Sequence, residues 1–327
     1  MRESAVSTPE YSIVITIYRD GYLAEACCAE LERVFRGLLG RDDVSSGLEV
    51  IFVNDGSPDD SLAQLLEVQR GHAFVRVIEL SRNFGQHRAI ACGFHAARGR
   101  YVLRMNVDMQ DPPSEIPKLV AEMACGEYDL VVGCYAVRNS PLANKVTAFL
   151  YFELYRLLTG LEVPQNSSPL RIMNRAFIDA YNGLTEKSRF PQGLDQWLGF
   201  RHRYVEIEHR QRADGKSSYN FRSRLNLAVN GLLYFSDRPL KLVTLFGTCV
   251  ALVGVALGLF IVGAKIAGQD FLPGYASLAA IGLLGFGMQV GCIGLLGLYV
   301  GKIFDEVQGR PLYVIRKEFE RPPGLQP

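Results

Sequence analysis

The stretch Tyr101–Pro113, YVLRMNVDMQDPP, decides the fold. Its first five residues form a short, mostly apolar run typical of a buried strand, and the two prolines at its end prevent the strand from continuing. Carboxylate and amide side chains lie in between, at Asn106, Asp108 and Gln110. Ligands of open α/β sheets bind beyond the carboxyl ends of the strands, so these polar groups predict a binding site. Oxygen ligands at this spacing suit Mg²⁺ or Mn²⁺ holding a diphosphate, although an acidic surface turn would also explain the triplet alone.

Strands and helices alternate along the first part of the chain. Apolar runs predict five strands, at Tyr11–Tyr18, Leu48–Val53, Val75–Leu80, Tyr101–Met105 and Asp129–Val132. Helical spacing predicts helices at Gly21–Gly40, after Asp59, at Gln86–Ala97 and from Ser114 to Ala124. This alternation predicts an α/β fold with a doubly wound, mostly parallel sheet. No G-x-G-x-x-G follows the first strand, which disfavours a dinucleotide-binding fold.

Charge and cysteine content narrow the class of protein. With 35 Lys and Arg against 34 Asp and Glu, the sequence gives no general reason to expect nucleic acid as a partner. The seven cysteines include no C-x-x-C pair, which favours reduced thiols in a cytosolic compartment. The first residues lack an apolar core, so we expect no secretory signal there.

The last third contains two long apolar segments. Leu242–Val262 and Tyr275–Val300 carry no charge, and each is long enough to cross a hydrocarbon core of about 30 Å. Lys and Arg flank the pair, while the connection Ala267–Gly274 has neither, so a transmembrane hairpin with both termini in the cytoplasm is expected. The predicted parts are a cytoplasmic catalytic domain (1–220), a juxtamembrane amphipathic helix (221–240), two transmembrane helices (241–302) and a cytoplasmic tail (303–327). An aromatic helix near 144–160 would lie either in the core or at the membrane surface.

Three strand ends are expected to form one site. Tyr18 and Asp20 follow the first predicted strand, Asp55 the second and Asp108 the fourth. Strands that end side by side bring such residues to one rim of the sheet. There, the Asp55 carboxylate could accept the imide N–H of uracil, while Asp108 and Gln110 face a cation bound to the diphosphate.

Four segments carry a resemblance to a known family. They are VNDGSPDDS (53–61), LSRNFGQHRA (80–89), NVDMQDPPSEIP (106–117) and GLYVGKIFDEVQGRPLY (297–313). These segments resemble family 2 glycosyltransferases of the GT-A fold. Within that family the chain is similar to the polyprenyl-phosphate glycosyltransferases, the branch of dolichol-phosphate mannose synthase and undecaprenyl-phosphate aminoarabinose transferase. The resemblance extends from Tyr11 to Arg316.

The resemblance implies a membrane-anchored, inverting glycosyltransferase of the bacterial inner membrane. Its donor would be a nucleotide sugar, expected to be UDP-linked, its acceptor polyprenyl (undecaprenyl) phosphate, and its assembly a homo-oligomer such as a tetramer. By matching position, the donor contacts would be Tyr18, Asp20, Asp55, Asn106, Asp108 and Gln110. Asp108 and Asn106 would be catalytic, and Asp108 and Gln110 would hold Mg²⁺ or Mn²⁺. The acceptor phosphate would bind Arg212, Lys216 and Ser217.

The chain departs from the family pattern at two places. Asn106 stands where relatives usually carry an aspartate, and the segment Asn166–Pro169 lacks the aspartates usual there. A phosphate acceptor is already ionised and needs no general base, and an amide oxygen still binds a hard cation, so transfer remains the expected activity. Two alternatives stay open: a non-processive transferase to a sugar hydroxyl with Asp195 as base, and a catalytically weakened relative that binds nucleotide sugar or recruits partners.

Overall fold

A computed structural model of the chain describes residues 8–135, 153, 156–157, 160, 166–187, 191–210, 238–267 and 274–320. Its main feature is one eight-stranded, mostly parallel sheet. The strands are β1 (Tyr11–Ile17), β2 (Leu48–Asn54), β3 (Val75–Leu80), β4 (Tyr101–Met105), β5 (Leu130–Tyr135), β6 (Ser167–Asn174), β7 (His202–Ile207) and β8 (Ile315–Phe319). Their order across the sheet is β7-β5-β6-β4-β1-β2-β3-β8.

Helices connect most of the strands. They are α1 (Ala24–Leu39), α2 (Ser61–Gly71), α3 (Gln86–Ala96), α4 (Ile116–Ala124), α5 (Arg175–Asn182), α6 (Pro191–Trp197), α7 (Arg238–Ile266) and α8 (Tyr275–Val307). Short 3₁₀ turns at Gly21–Leu23 and Pro113–Glu115 precede α1 and α4. The first part of the chain therefore has the strand–helix alternation that the sequence predicts.

The strand pairing confirms the predicted mostly parallel sheet. β4, β1, β2 and β3 pair in parallel, in that order. β6 then joins β4 in antiparallel orientation and carries β5 and β7 beyond it. The predicted fifth strand is longer than expected, since it ends at Tyr135 rather than Val132.

The segment after α8, predicted as a cytoplasmic tail, contributes a strand to the sheet. β8 pairs antiparallel with β3 and forms the edge of the sheet, with Val77 opposite Phe319. The Gln69 side chain donates to the Phe319 carbonyl, and Glu320 forms ion pairs with Arg76 and Arg98. Residues 315–319 thus belong to the sheet.

The first strands are nearly continuous apolar runs because the core covers both of their faces. Both faces of β1 are buried: Ile13 and Ile15 pack in the core with Leu31 of α1, while Val14 lies on the opposite face. There α3 approaches closely, because a Cβ at Gly93 would lie 2.2 Å from Val14 Cγ1. Strands buried on both faces carry apolar residues at every position.

The chain divides into two compact units. One unit contains the sheet, its helices and the segment from Pro311 onward; the other contains α7 and α8. By length and composition, both of these helices could cross a membrane, with apolar windows at Leu240–Leu257 and Gly285–Val307. The predicted helices near 144–160 and 221–240 lie mostly outside the described residues, although 238–240 already belong to the first turn of α7.

Candidate functional site

The site lies where four parallel strands end. We call this side of the sheet the carboxyl edge, and the opposite side the amino edge. In the register of the sheet, Ile17 is opposite Asn54 and Ile15 is opposite Met105. The segments that follow β1, β2 and β4 therefore start beside one another, and they carry the residues that the sequence singles out.

Asp55 organises the loop between β3 and α3. Its side chain is buried, its Oδ1 accepts the Phe84 N–H at 2.7 Å, and its Oδ2 accepts the Gly85 N–H at 2.9 Å. Burial raises the pKa of Asp55, while these two bonds and Arg88 oppose the rise. Both oxygens are thus already occupied, so a bond to a uracil imide would need a remaining lone pair. That contact stays a prediction.

Gly56 explains why a glycine follows Asp55. Its φ is 62°, and a Cβ there would lie 2.3 Å from the Arg82 carbonyl carbon. The β2 end and the loop after β3 are in backbone contact that no side chain at this position would permit. The resemblance segments VNDGSPDDS and LSRNFGQHRA therefore form one structure.

The segment after β1 presents an aromatic ring. Tyr18 is 41% exposed, and the Arg19 guanidinium lies 5.4 Å from its ring centroid. Arg19 has a φ of 67°, and its N–H donates to the Ser57 hydroxyl at 3.2 Å. Asp20, which is partly exposed, starts the turn that leads into α1. An exposed ring beside a guanidinium can stack on a nucleobase.

Asn106, Asp108 and Gln110 follow β4 and are all partly exposed. The Asn106 Oδ1 accepts a bond from the Gln86 side chain at 3.3 Å, which links this segment to the first turn of α3. Asp108 accepts the Gln110 N–H at 3.3 Å across Met109, whose φ is 49°. Asp108 also contributes to raising the pKa of the Cys27 thiol to about 12, after the larger effect of burial.

These side chains fit a hard divalent cation. Carboxylate and amide oxygens are its preferred ligands, and Mg²⁺ is commonly bound by one or two carboxylates together with substrate phosphates. Within the described part of the chain, no group of three or more His, Cys, Asp or Glu forms a complete metal cage. A cation here would therefore use Asp108, with amide oxygens beside it, and would depend on the substrate for further ligands.

Asp111 is an anchor that the sequence reading did not identify. It is buried and accepts hydrogen bonds from the Tyr135 hydroxyl at 2.7 Å and the Ser168 hydroxyl at 2.6 Å. The Asn166 carbonyl accepts the Tyr135 N–H at 2.9 Å. The segment that lacks the family's aspartates is thus fixed through a serine to the Q-D-P-P motif.

A buried charged cluster lies on the α3 side of β4 and β6. Arg104 and Arg171 are opposite each other in the antiparallel pair, and both are buried. Arg171 forms an ion pair with buried Asp195 of α6 and donates to the Ser168 carbonyl. Asp195, the candidate base of the hydroxyl-transfer alternative, is thus occupied by a guanidinium. Burial raises the pKa of Asp195, and Arg171 opposes the rise.

His87 of α3 adjoins this cluster. Burial, together with Arg104 and Arg171, lowers its pKa to about 4. The imidazole is therefore neutral at physiological pH. The other sequence-predicted group, Arg212, Lys216 and Ser217, lies outside the described residues.

Comparison with known proteins shows to which family the chain belongs. The profile of the family described as Glycosyl transferase family 2 matches residues 12–181. An uncharacterized glycosyltransferase from Synechocystis sp. is 34% identical, over 94% of this chain and 95% of that protein. An undecaprenyl-phosphate 4-deoxy-4-formamido-L-arabinose transferase from Klebsiella pneumoniae is 31% identical, over 95% of this chain and 94% of that protein.

A solved structure is also similar. It is a mannosyltransferase from Pyrobaculum calidifontis in complex with GDP-Man and Mn²⁺, with a TM-score of 0.47, 15% identity and coverage of 93% of this chain and 88% of that one. The family match covers more than half of the chain, and two relatives above 30% identity extend over nearly all of it. The chain belongs to glycosyltransferase family 2.

Proposed function

We propose that the protein transfers a sugar, with inversion, from a UDP-sugar to undecaprenyl phosphate at the inner face of a bacterial cytoplasmic membrane. The observation that carries the proposal is the meeting of two segments at the carboxyl edge. Asn106 and Asp108 follow β4, and the Gln86 side chain from the first turn of α3 donates to Asn106. This gives oxygen ligands for a cation beside a helix N-terminus, two features that favour a bound diphosphate.

Exposed and buried residues at this edge would have different roles in donor binding. Tyr18 offers a ring on which the base can stack, and Arg19 lies beside it. Asp55 holds the backbone of Phe84 and Gly85, so its main contribution would be the shape of the loop that closes the nucleotide site. Asp108, Asn106 and Gln110 would hold Mg²⁺ or Mn²⁺, which supplies charge stabilisation of the leaving diphosphate when bound.

The acceptor chemistry explains why Asn106 and an occupied Asp195 are compatible with activity. A phosphate is already at least singly ionised at neutral pH, so it needs orientation and desolvation rather than a base. Asp195 is paired with Arg171, which suits a structural carboxylate better than a general base. The related Klebsiella protein is named for transfer to undecaprenyl phosphate, which supports the same acceptor class here. Arg212, Lys216 and Ser217 remain the proposed acceptor-phosphate group.

The position of β8 supports a membrane hairpin. The sheet before α7 and the strand after α8 are hydrogen-bonded to each other, so both lie in one compartment. Two crossings satisfy this condition, whereas a single crossing would separate the strands. With Lys and Arg flanking the pair, that compartment would be the cytoplasm. A reporter fused after residue 327 should be active only on the cytoplasmic side.

The test is reconstitution of transfer. Purified protein in detergent, with Mn²⁺, a panel of UDP- and GDP-sugars and undecaprenyl phosphate, should give a glycolipid and free nucleoside diphosphate. Chelation of the metal should abolish product formation. If every donor binds but none is transferred, the chain is the catalytically weakened relative that the loss of an aspartate at position 106 would produce.

A further inference from the structure

Arg104 is a buried cation with no partner in the part of the chain that the structure describes. Its side chain is 93% buried, since only 7% is exposed, yet it forms no hydrogen bond or ion pair with any of the described residues. A guanidinium carries five N–H donors in one plane, and burying them unpaired is unfavourable. A guanidinium keeps its charge in proteins, so Arg104 is a buried cation.

The carboxylates near Arg104 are already used. Asp195 is the ion-pair partner of Arg171. Asp111 accepts hydrogen bonds from the neutral hydroxyls of Tyr135 and Ser168. His87 adjoins the cluster in its neutral form. None of these groups, nor the neighbouring Tyr181 hydroxyl, forms a hydrogen bond with Arg104.

The position of Arg104 points to a substrate as the missing partner. It lies in β4, which ends at Met105, and it precedes Asn106 by two residues, so the two Cα atoms are at most about 7 Å apart. The Gln86 side chain bridges Asn106 to α3, and His87 is the next residue of that helix. Arg104 is thus buried directly before the segment proposed to bind the donor.

We propose that Arg104 binds an oxyanion of a substrate, either a carboxylate on the transferred sugar or a phosphate. A planar guanidinium forms paired, charge-assisted hydrogen bonds with either group. A sugar carboxylate as the partner of Arg104 rests on the proposed function, because a nucleotide sugar must then occupy the carboxyl edge. A phosphate as the partner requires only that an anion binds at this position.

The experiment compares ligands that differ by one carboxylate. UDP-glucuronate, UDP-glucose and inorganic phosphate are titrated into full-length wild type, Arg104→Met and Arg104→Lys, without the acceptor. If a sugar carboxylate is the partner, wild type binds UDP-glucuronate about tenfold or more tightly than UDP-glucose, and Arg104→Met loses the preference. If a phosphate is the partner, the two UDP-sugars bind equally, both weaken in Arg104→Met, and phosphate raises the melting temperature of wild type only.

A matched control separates ligand binding from folding. Arg76 of β3 is also a largely buried strand arginine, but it is paired with Glu49 and Glu320 at the amino edge. Arg76→Met should lower the melting temperature and leave all three ligand affinities unchanged. Arg104→Met should keep or raise the melting temperature of the ligand-free protein, because it removes an unpaired buried charge.

Two results would overturn the proposal. One is unchanged affinity of Arg104→Met for all three ligands. The other needs no variant: wild type binds the two UDP-sugars equally and is not stabilised by phosphate. Neither result depends on turnover, so glycolipid formation by the same preparation tests the proposed function separately.

Discussion

Buried charged groups at the amino edge of the sheet have ion-pair or hydrogen-bond partners within the protein, whereas the buried Arg104 at the carboxyl edge has none among the described residues. At the amino edge, Glu49 is 6% exposed and accepts bonds from the Ser12 hydroxyl at 2.6 Å, from Arg76 and from the Arg98 N–H at 3.2 Å. Arg76 and Arg98 also pair with Glu320. Apart from Arg76 Nε, which is buried without a hydrogen-bond partner among the described residues, these groups pair with one another and hold β1, β2, β3 and β8 together.

The carboxyl edge differs in the partners and the exposure of its polar and charged groups. Arg104 is buried without a partner among the described residues, and Tyr18 and the polar groups after β4 are wholly or partly exposed. Arg19 and Met109, which have positive φ, both lie at this edge. Backbone conformations of this kind cluster at ligand-binding sites. The comparison favours a division in which the amino edge stabilises the sheet and the carboxyl edge is the proposed substrate site.

The largest expected effect is on transfer. Asp108→Ala removes the carboxylate of the proposed cation site and should lower glycolipid formation on the order of 100-fold. Its melting temperature should change little, because Asp108 is partly exposed. Asp179→Ala, which removes an exposed carboxylate on α5, is the control and should retain activity. Equal activity of the two variants would remove Asp108 from the site.

Removal of the buried Glu49 carboxylate at the amino edge should lower stability and leave donor binding unchanged. Glu49→Ala leaves Arg76 and the Arg98 N–H without their buried acceptor, which should cost about 3 kcal/mol or more of stability. Chemical or thermal unfolding measures this loss, while donor affinity of the folded fraction should stay at the wild-type value. A weakened donor affinity with unchanged stability would contradict the division between the edges.

Stability should fall in mild acid because of His87. The pKa of His87 is lowered to about 4 in the folded protein, from 6.5 as its ordinary value. The unfolded chain therefore binds a proton between these pH values and the folded chain does not, so stability is lost as pH falls from 6.5 to 4. The full shift corresponds to about 3 kcal/mol. Thermal unfolding at several pH values should show a flatter profile for His87→Asn than for wild type; the exposed His95→Asn serves as control, and identical profiles would contradict the prediction.

The smallest effect is expected from a substitution of Asn106, which stands where relatives usually carry an aspartate. Asn106→Asp adds one negative charge to the proposed cation site while keeping an oxygen that can accept from Gln86. Mn²⁺ affinity should rise by about tenfold, since one additional charge interaction is worth about 1–2 kcal/mol. Titration of Mn²⁺ in the presence of UDP measures the change. Unchanged affinity would indicate that position 106 does not face the cation.

The sequence predicts the regular part of the fold because its signals are local. β1 to β4 are apolar runs followed by turn residues, and their ends carry the polar groups of the site. β8 is different: four of its five residues are exposed, so it has no apolar pattern, and its partner strand is more than 230 residues away along the chain. Pairing at such a distance cannot be read from periodicity.

Only part of the site could be predicted, because some of its contacts join residues that are far apart in the sequence. Asp108 and Asp55 stand out because they end strands. Arg104 lies inside an apolar run, and its meaning depends on Arg171 across the ladder and on Asp195 from α6, neither of which is near it in sequence. The local signal for it is a charged residue within an apolar strand, and this signal alone does not identify a binding group.

The most direct measurement is to map where the nucleotide binds. A photoreactive UDP analogue with Mn²⁺ should label peptides containing Tyr18–Asp20 or Arg82–Gln86 at the carboxyl edge, and UDP should compete. The amino edge offers an alternative, a cavity of about 340 Å³ lined by residues that include Arg100, Tyr128 and Arg175. Competed labelling there, with none at the carboxyl edge, would contradict the account.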